Sequence, residues 1–189
     1  VNDRYHSGDL VPASDQPLRV AIRVLGPHWV EATQLKLFAN GQLIRDVELP
    51  TRPVNNNTSG ILWSETWELP RPQHDVHLVA IASGPGITQP YWRTAKPYQP
   101  LSPDGATQVL GCSGAVWLDV DGDGQPTAAR VYAERLFARH RDAPAKLIEA
   151  LAPYDAAVAA HVAFLMHQAG MSPISTEIQR IWMTATPQA

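Results

Sequence analysis

Near Arg130 the spacing of apolar residues changes from every second position to every third or fourth, and this change limits what each part of the chain can become. Before it, Leu18, Val20, Ile22 and Val24 alternate with Arg19, Ala21 and Arg23, the pattern of a strand with one buried face. Gln34 to Ala39 and Gln42 to Leu49 flank Asn40-Gly41, a pair that accepts positive φ at both central positions of a two-residue hairpin turn. Ile61 to Leu69, with Ile61, Trp63, Trp67 and Leu69 on one face, predicts a further strand, as do Val76 to Ser83 and Ala115 to Val120. After the change, Leu147, Leu151, Tyr154, Val158, Val162, Leu165 and Ala169 recur at helical spacing. Pro153 suits the first turn of a second helix and Gly170 its C′ position, so two helices broken near Ala152 are expected. Ser172-Pro173 can open a last short helix with Ile174, Ile178 and Trp182 as its apolar stripe.

Short strands at this spacing, with antiparallel turn signals between them, point to a mainly β fold: an immunoglobulin-like β-sandwich with a C-terminal α-helical segment. The 17 prolines and 12 glycines fit many short strands joined by rigid turns better than a helical bundle. The expected division is a β-sandwich over residues 1–127 and a helical segment over 128–189, its apolar stripe covered by the sandwich or by a neighbouring domain. At 189 residues the chain can bury one good core, and two independent domains are not expected.

Charge narrows the choice of partners. Fifteen Lys and Arg against 18 Asp and Glu give a net charge of −3, with no basic block to neutralise a run of phosphates, so nucleic acid is not an expected partner. Apolar stretches fall well short of the roughly 20 residues a membrane-spanning helix needs. The single cysteine, Cys112, rules out an intrachain disulfide, leaves the compartment open to export, and reads as a small buried filler. The chain begins Val1-Asn2-Asp3, which reads as a processed product or, in better accord with the other features, a piece of a longer polypeptide.

The strongest chemical signal is Asp119-Val120-Asp121-Gly122-Asp123-Gly124-Gln125-Pro126-Thr127, where alternate carboxylates sit on a glycine-spaced loop. Hard cations want such converging oxygens. Mapped on a calcium loop, Asp119, Asp121 and Asp123 take positions 1, 3 and 5, Gly124 makes the sharp turn, Gln125 offers its carbonyl and Thr127 takes position 9. Arg130 stands where a bidentate Glu belongs, so a complete EF-hand is excluded. Glu134 and a residue from a distant loop are the two candidates to complete a Ca2+ site. The competing reading is a turn whose aspartates hydrogen-bond the loop backbone.

Other constellations carry less. His74-Asp75-Val76-His77 resembles a metal pair, but on a strand positions 74 and 77 face opposite ways. His161 and His167 fall on different faces of a helix. Gly111-Cys112-Ser113-Gly114 lacks the strand-to-helix context of a nucleophile turn. Pro90 to Pro100 carries Tyr91, Trp92 and Tyr98 with two cations, which could form an interdomain contact or a sugar-binding platform.

Several pieces occur together: Gly8-Asp9 before the first long strand, Pro27-x-Trp29-Val30 after it, Asn40-Gly41, Tyr91-Trp92 to Lys96-Pro97-Tyr98, and Trp117 to Gly124 followed by Arg130-x-Tyr132-Ala133. In this combination the chain resembles the C-terminal region of the CehA/McbA-type metallohydrolases of the PHP superfamily. In that family an N-terminal PHP domain holds the divalent metals and performs ester or phosphoester hydrolysis. The resemblance implies a non-catalytic accessory module that stabilises or gates a PHP-type catalytic domain of the same parent chain, and no catalytic residue is carried over. A carbohydrate- or surface-binding sandwich using Tyr91, Trp92 and Tyr98 is the alternative, and a stand-alone hydrolase using His74, His77 and the aspartate loop is a third.

Overall fold

The computed structural model describes residues 1–14, 16–27, 29–50, 60–87, 109–171 and 179. In chain order the elements are β1 (Leu10–Val11), β2 (Leu18–Leu25), β3 (Val30–Glu31), β4 (Gln34–Ala39), β5 (Gln42–Glu48), β6 (Ile61–Leu69), β7 (Val76–Gly84), β8 (Gly86–Ile87), β9 (Val109–Cys112), β10 (Val116–Leu118), α1 (Ala129–His140), α2 (Pro144–Glu149) and α3 (Ala156–Gln168). Strand outweighs helix, and the helices follow the strands, as the change of period requires.

The chain folds as two compact units. One comprises Val1–Val11, Asp15–Arg71 and His77–Trp117; the other comprises Pro12–Ser14, Pro72–Val76 and Leu118–Ala189. The acidic loop, expected at the end of the strand-rich part, is therefore counted with the helices.

In the strand-rich unit β2 buries Leu18, Val20 and Val24 and exposes Arg19, Ala21 and Arg23, so the alternation in the sequence is the alternation of its faces. It pairs antiparallel with β6, setting Val20 opposite Trp67 and Val24 opposite Trp63. The larger sheet has the order β1-β10-β7-β4-β5, with β9 also pairing β7. A third, two-stranded sheet pairs β3 with β8, and side chains from the β2–β6 pair and the larger sheet meet in one cluster: Val24 of β2, Leu35 of β4 and the adjoining Leu49 are buried, with Ile22, Leu62, Trp63, Trp67, Ala80 and Ala82 packed around them. Leu35 and Leu37 of β4 are almost wholly buried, and truncating either to Ala costs about 2–5 kcal/mol in sites of this kind.

The β4–β5 connection is the predicted two-residue hairpin. Asn40 has φ 47° and Gly41 φ 82°, a left-handed pair whose twist matches that of the flanking strands. Asn40 is also tied to the neighbouring strand: its N–H donates to the His77 carbonyl at 3.1 Å and its Oδ1 accepts from the His77 N–H at 3.0 Å.

The helical unit has a core of its own. Tyr132, Ala133 and Leu136 of α1, Leu147 and Ile148 of α2, Leu151, and Val158, Val162 and Met166 of α3 form one buried cluster. Of the apolar series expected at helical spacing, Leu147, Leu151, Val158 and Val162 are buried there, while Tyr154 and Leu165 pack against it. The break near Ala152 is present, but the start of α3 lies further on. Asp155 is the N-cap, its Oδ1 accepting from Val158 N–H at 3.0 Å, because a carboxylate there satisfies an otherwise unpaired helix N–H. Pro153 stays in the preceding turn, and Pro144 instead opens α2, where its missing N–H costs nothing. Gly170, at φ 77°, follows α3 in the C′ position. The stripe Ile174, Ile178 and Trp182 lies outside the described residues.

Candidate metal centre

β10 delivers the chain into the acidic loop at Asp119, a carboxylate only 3% exposed. Burying a charge is costly unless strong donors surround it, and the loop provides them. Oδ1 of Asp119 accepts from Gly122 N–H at 2.7 Å and Oδ2 from Gly124 N–H at 3.0 Å. Gly122 and Gly124 both lie at φ 77°, a region that side chains with a Cβ enter at a cost, and this coil turns their N–H groups toward the carboxylate. Further along, Asp123 accepts from Gln125 N–H at 2.8 Å and from Thr127 Oγ1 at 3.1 Å.

The loop is closed from a distant position. Asp75, immediately before β7 and 4% exposed, accepts from Val120 N–H at 2.7 Å and Asp121 N–H at 3.3 Å through Oδ1. Its Oδ2 accepts from Thr127 N–H at 2.9 Å. One carboxylate thus holds both the entry and the exit of the loop. Its own backbone N–H donates to the Tyr132 hydroxyl at 3.3 Å, which ties the loop to α1.

Asp75, Asp119 and Asp121 each offer a carboxylate oxygen, and the three atoms lie within 4.8 Å of one another. Oxygens that share one Ca2+ at about 2.3–2.6 Å stand no further apart than about 5 Å, so three donors of this spacing can meet on a single ion. The set is all oxygen, without sulfur or imidazole, and this favours a hard cation. The cluster, buried at Asp75 and Asp119 and exposed at Asp121, could hold a metal ion.

A cationic side chain borders the cluster. Arg135 Nη1 donates to Asp121 Oδ2 at 2.8 Å, and Nη2 lies 4.0 Å from Asp123 Oδ2. Desolvation pushes the Asp121 carboxyl up, but hydrogen bonds from Arg135, Tyr132 and the Asp123 N–H, with the Arg135 charge, outweigh it and leave the group below its ordinary value. Tyr132 shifts the other way: burial and the carboxylates of Asp75 and Asp121 hold its phenol well above the usual range.

Among the residues expected to bind an ion, Asp119 and Asp121 are in the trio. The Asp123 carboxylate accepts from Gln125 N–H and Thr127 Oγ1 within the loop. Glu134 accepts from Arg130 Nε at 2.7 Å on an exposed face of α1 and is not in the trio. The third member of the trio is Asp75, which lies outside the loop. In the sequence Asp75 stands between His74 and His77, and no local motif marks it as a ligand. The two histidines do not share a site. His74 is buried, with Nε2 3.0 Å from Asp155 Oδ2 and its ring against Tyr154 and Tyr132. His77 lies on β7 with its ring 5.0 Å from that of Trp117.

Cys112 departs from expectation, being exposed rather than buried. The end of β9 bonds β7 through its backbone while Leu110, Gly111 and Cys112 all remain exposed. Ser113 Oγ accepts from Ala80 N–H at 3.0 Å, as a turn residue does. Tyr91, Trp92 and Tyr98 lie outside the described residues. A groove of about 610 Å³ on the helical unit is lined by Arg130, Ala160, His161, Phe164, Leu165 and Gln168, an apolar surface without a carboxylate, thiol or hydroxyl side chain. No helix among the described residues is long and apolar enough to cross a membrane. Comparison with protein-family models, curated proteins and solved structures returns no match for this chain, so its function is argued from the chemistry of the site.

Proposed function

We propose that this chain is a non-catalytic accessory module whose aspartate loop takes a structural Ca2+ ion, and that it serves a PHP-type metal-dependent hydrolase domain of the same parent chain. The observation that carries the ion is the convergence of Asp75, Asp119 and Asp121 oxygens within 4.8 Å. Ca2+ takes 6–8 oxygens, so backbone carbonyls of the loop and water would complete the shell. An ion there would neutralise two buried carboxylates and fix the loop that joins β10 to α1. The accessory role rests on the sequence resemblance, and an immunoglobulin-like arrangement of the β2–β6 pair and the larger sheet is supported by the core cluster they share.

Calorimetric titration and thermal melting with CaCl2, on the wild type and on Asp121→Ala, test the ion. Calcium should raise the wild-type melting temperature, with about 2.7 kcal/mol of stabilisation at a concentration 100 times Kd, and the variant should lose this response. No heat and no melting shift at millimolar calcium would sink the reading. Turnover of ester or phosphoester substrates by the isolated chain with added Mn2+ or Zn2+ would overturn the non-catalytic role.

A further inference from the structure

Asn40-Gly41 occupies the tip of the β4–β5 hairpin, with Gly41 exposed to water and Asn40 half-buried. Asn followed by Gly is chemically reactive, because the glycine lacks a Cβ that would hinder its own backbone nitrogen. That nitrogen can attack Cγ of the asparagine, forming a C–N bond while the side-chain amide leaves as ammonia. Water then opens the cyclic imide at one of its two carbonyls, giving aspartate or isoaspartate at position 40. The balance needs water alone, without an oxidant or second substrate.

We infer that Asn40-Gly41 is a self-modification site which the folded hairpin holds inactive and which opening of the hairpin releases. Two observations support the gate. Asn40 Oδ1 accepts from the His77 N–H at 3.0 Å and Asn40 N–H donates to the His77 carbonyl at 3.1 Å, so both the side chain and the backbone of Asn40 are fixed to β7. The peptide between positions 40 and 41 is also held by the left-handed turn, φ 47° and 82°. Swinging Cγ over the Gly41 nitrogen means giving up the His77 bond and rotating that peptide out of the turn. Reaction therefore proceeds through an open hairpin, and its rate scales with the population of that state.

Modification would be felt in the sheet. The isoaspartate product carries the main chain through the former side-chain carbon and adds an atom to a tight turn, where Ala39 pairs with Gln42 and Phe38 with Leu43 before the register shifts between Leu37 and Phe38. Site 40 would thus keep an irreversible record of time spent open. It is independent of the cation site.

The test is to age the full chain at mildly alkaline pH in native buffer and in guanidinium, and to measure Asp and isoAsp in the peptide containing residues 40–41 by mass spectrometry. Conversion should be at least ~10-fold slower in native buffer, the factor that an opening cost of about 1.4 kcal/mol produces. Equal rates in the two solvents would overturn the gate, and absence of conversion in guanidinium would overturn the site. Gly41→Ala should slow conversion in guanidinium; an unchanged rate there would rule out attack by the residue-41 nitrogen.

Discussion

The Asn40-Gly41 turn and the Asp119–Thr127 loop both use left-handed residues, yet they are stabilised over different ranges. The hairpin needs only two adjacent residues that tolerate positive φ, and the strands on either side do the rest. The acidic loop coils around its own Asp119 but is fastened by Asp75, at bonding separations of 45, 46 and 52 residues. A turn whose geometry is local fails locally when mutated. A loop tied by a remote carboxylate fails together with whatever the carboxylate connects.

The most severe way to break this contrast is Asp75→Ala. Three loop N–H groups lose their acceptor at once, and the expected destabilisation is about 3–5 kcal/mol by urea denaturation. A change within error would show that the loop closes without its remote partner. Gly41→Ala should cost about 1–2 kcal/mol, the price of a Cβ in the left-handed region, and leave the hydrogen exchange of the helices unchanged.

Acid titration sharpens the comparison further, because the loop carries a shifted carboxylate. Asp121 is held below its ordinary value, so its contribution is present above that value and is lost as pH falls through the folded one. Asp121→Asn should therefore flatten the acid limb of stability against pH, and an unchanged limb would remove Asp121 from the network. The smallest effect belongs to Glu134→Gln. Its pair with Arg130 is exposed, with side chains 74% and 45% accessible, so stability should fall by no more than about 0.5 kcal/mol, and calcium affinity should not change.

The same difference in range decides what could be read without coordinates. Period-two alternation in Leu18 to Val24, the Asn-Gly turn and the helical spacing of Leu147 to Val162 are local signals, and the strands, the hairpin and the helical core follow them. Pro153 against Asp155 shows the limit of a local signal, since both can start a helix and the cap hydrogen bond to Val158 decides between them. Two of the three carboxylates of the candidate centre are legible because Asp119 and Asp121 lie in one motif. Asp75 is not, since the bonds that give it meaning are tertiary, to N–H groups 45 to 52 residues away. The exposure of Cys112 is hidden for a related reason: the sequence of a four-residue strand does not show whether another layer covers it.

The segment Pro72–Val76 belongs with the helices, although it precedes β7 in the chain and much of the strand-rich unit follows it. The helical unit is therefore discontinuous, and no single cut releases it intact. A fragment beginning at Leu118 would carry α1, α2 and α3 but neither Asp75 for the loop nor His74 for the Asp155 cap. On a ribosome, the helices would emerge last and find their fastening already made, which orders assembly from the strands to the helices. For anyone dissecting this protein, supplying residues 72–76 on a separate strand-rich fragment becomes a complementation experiment, with recovery of helical signal as its readout.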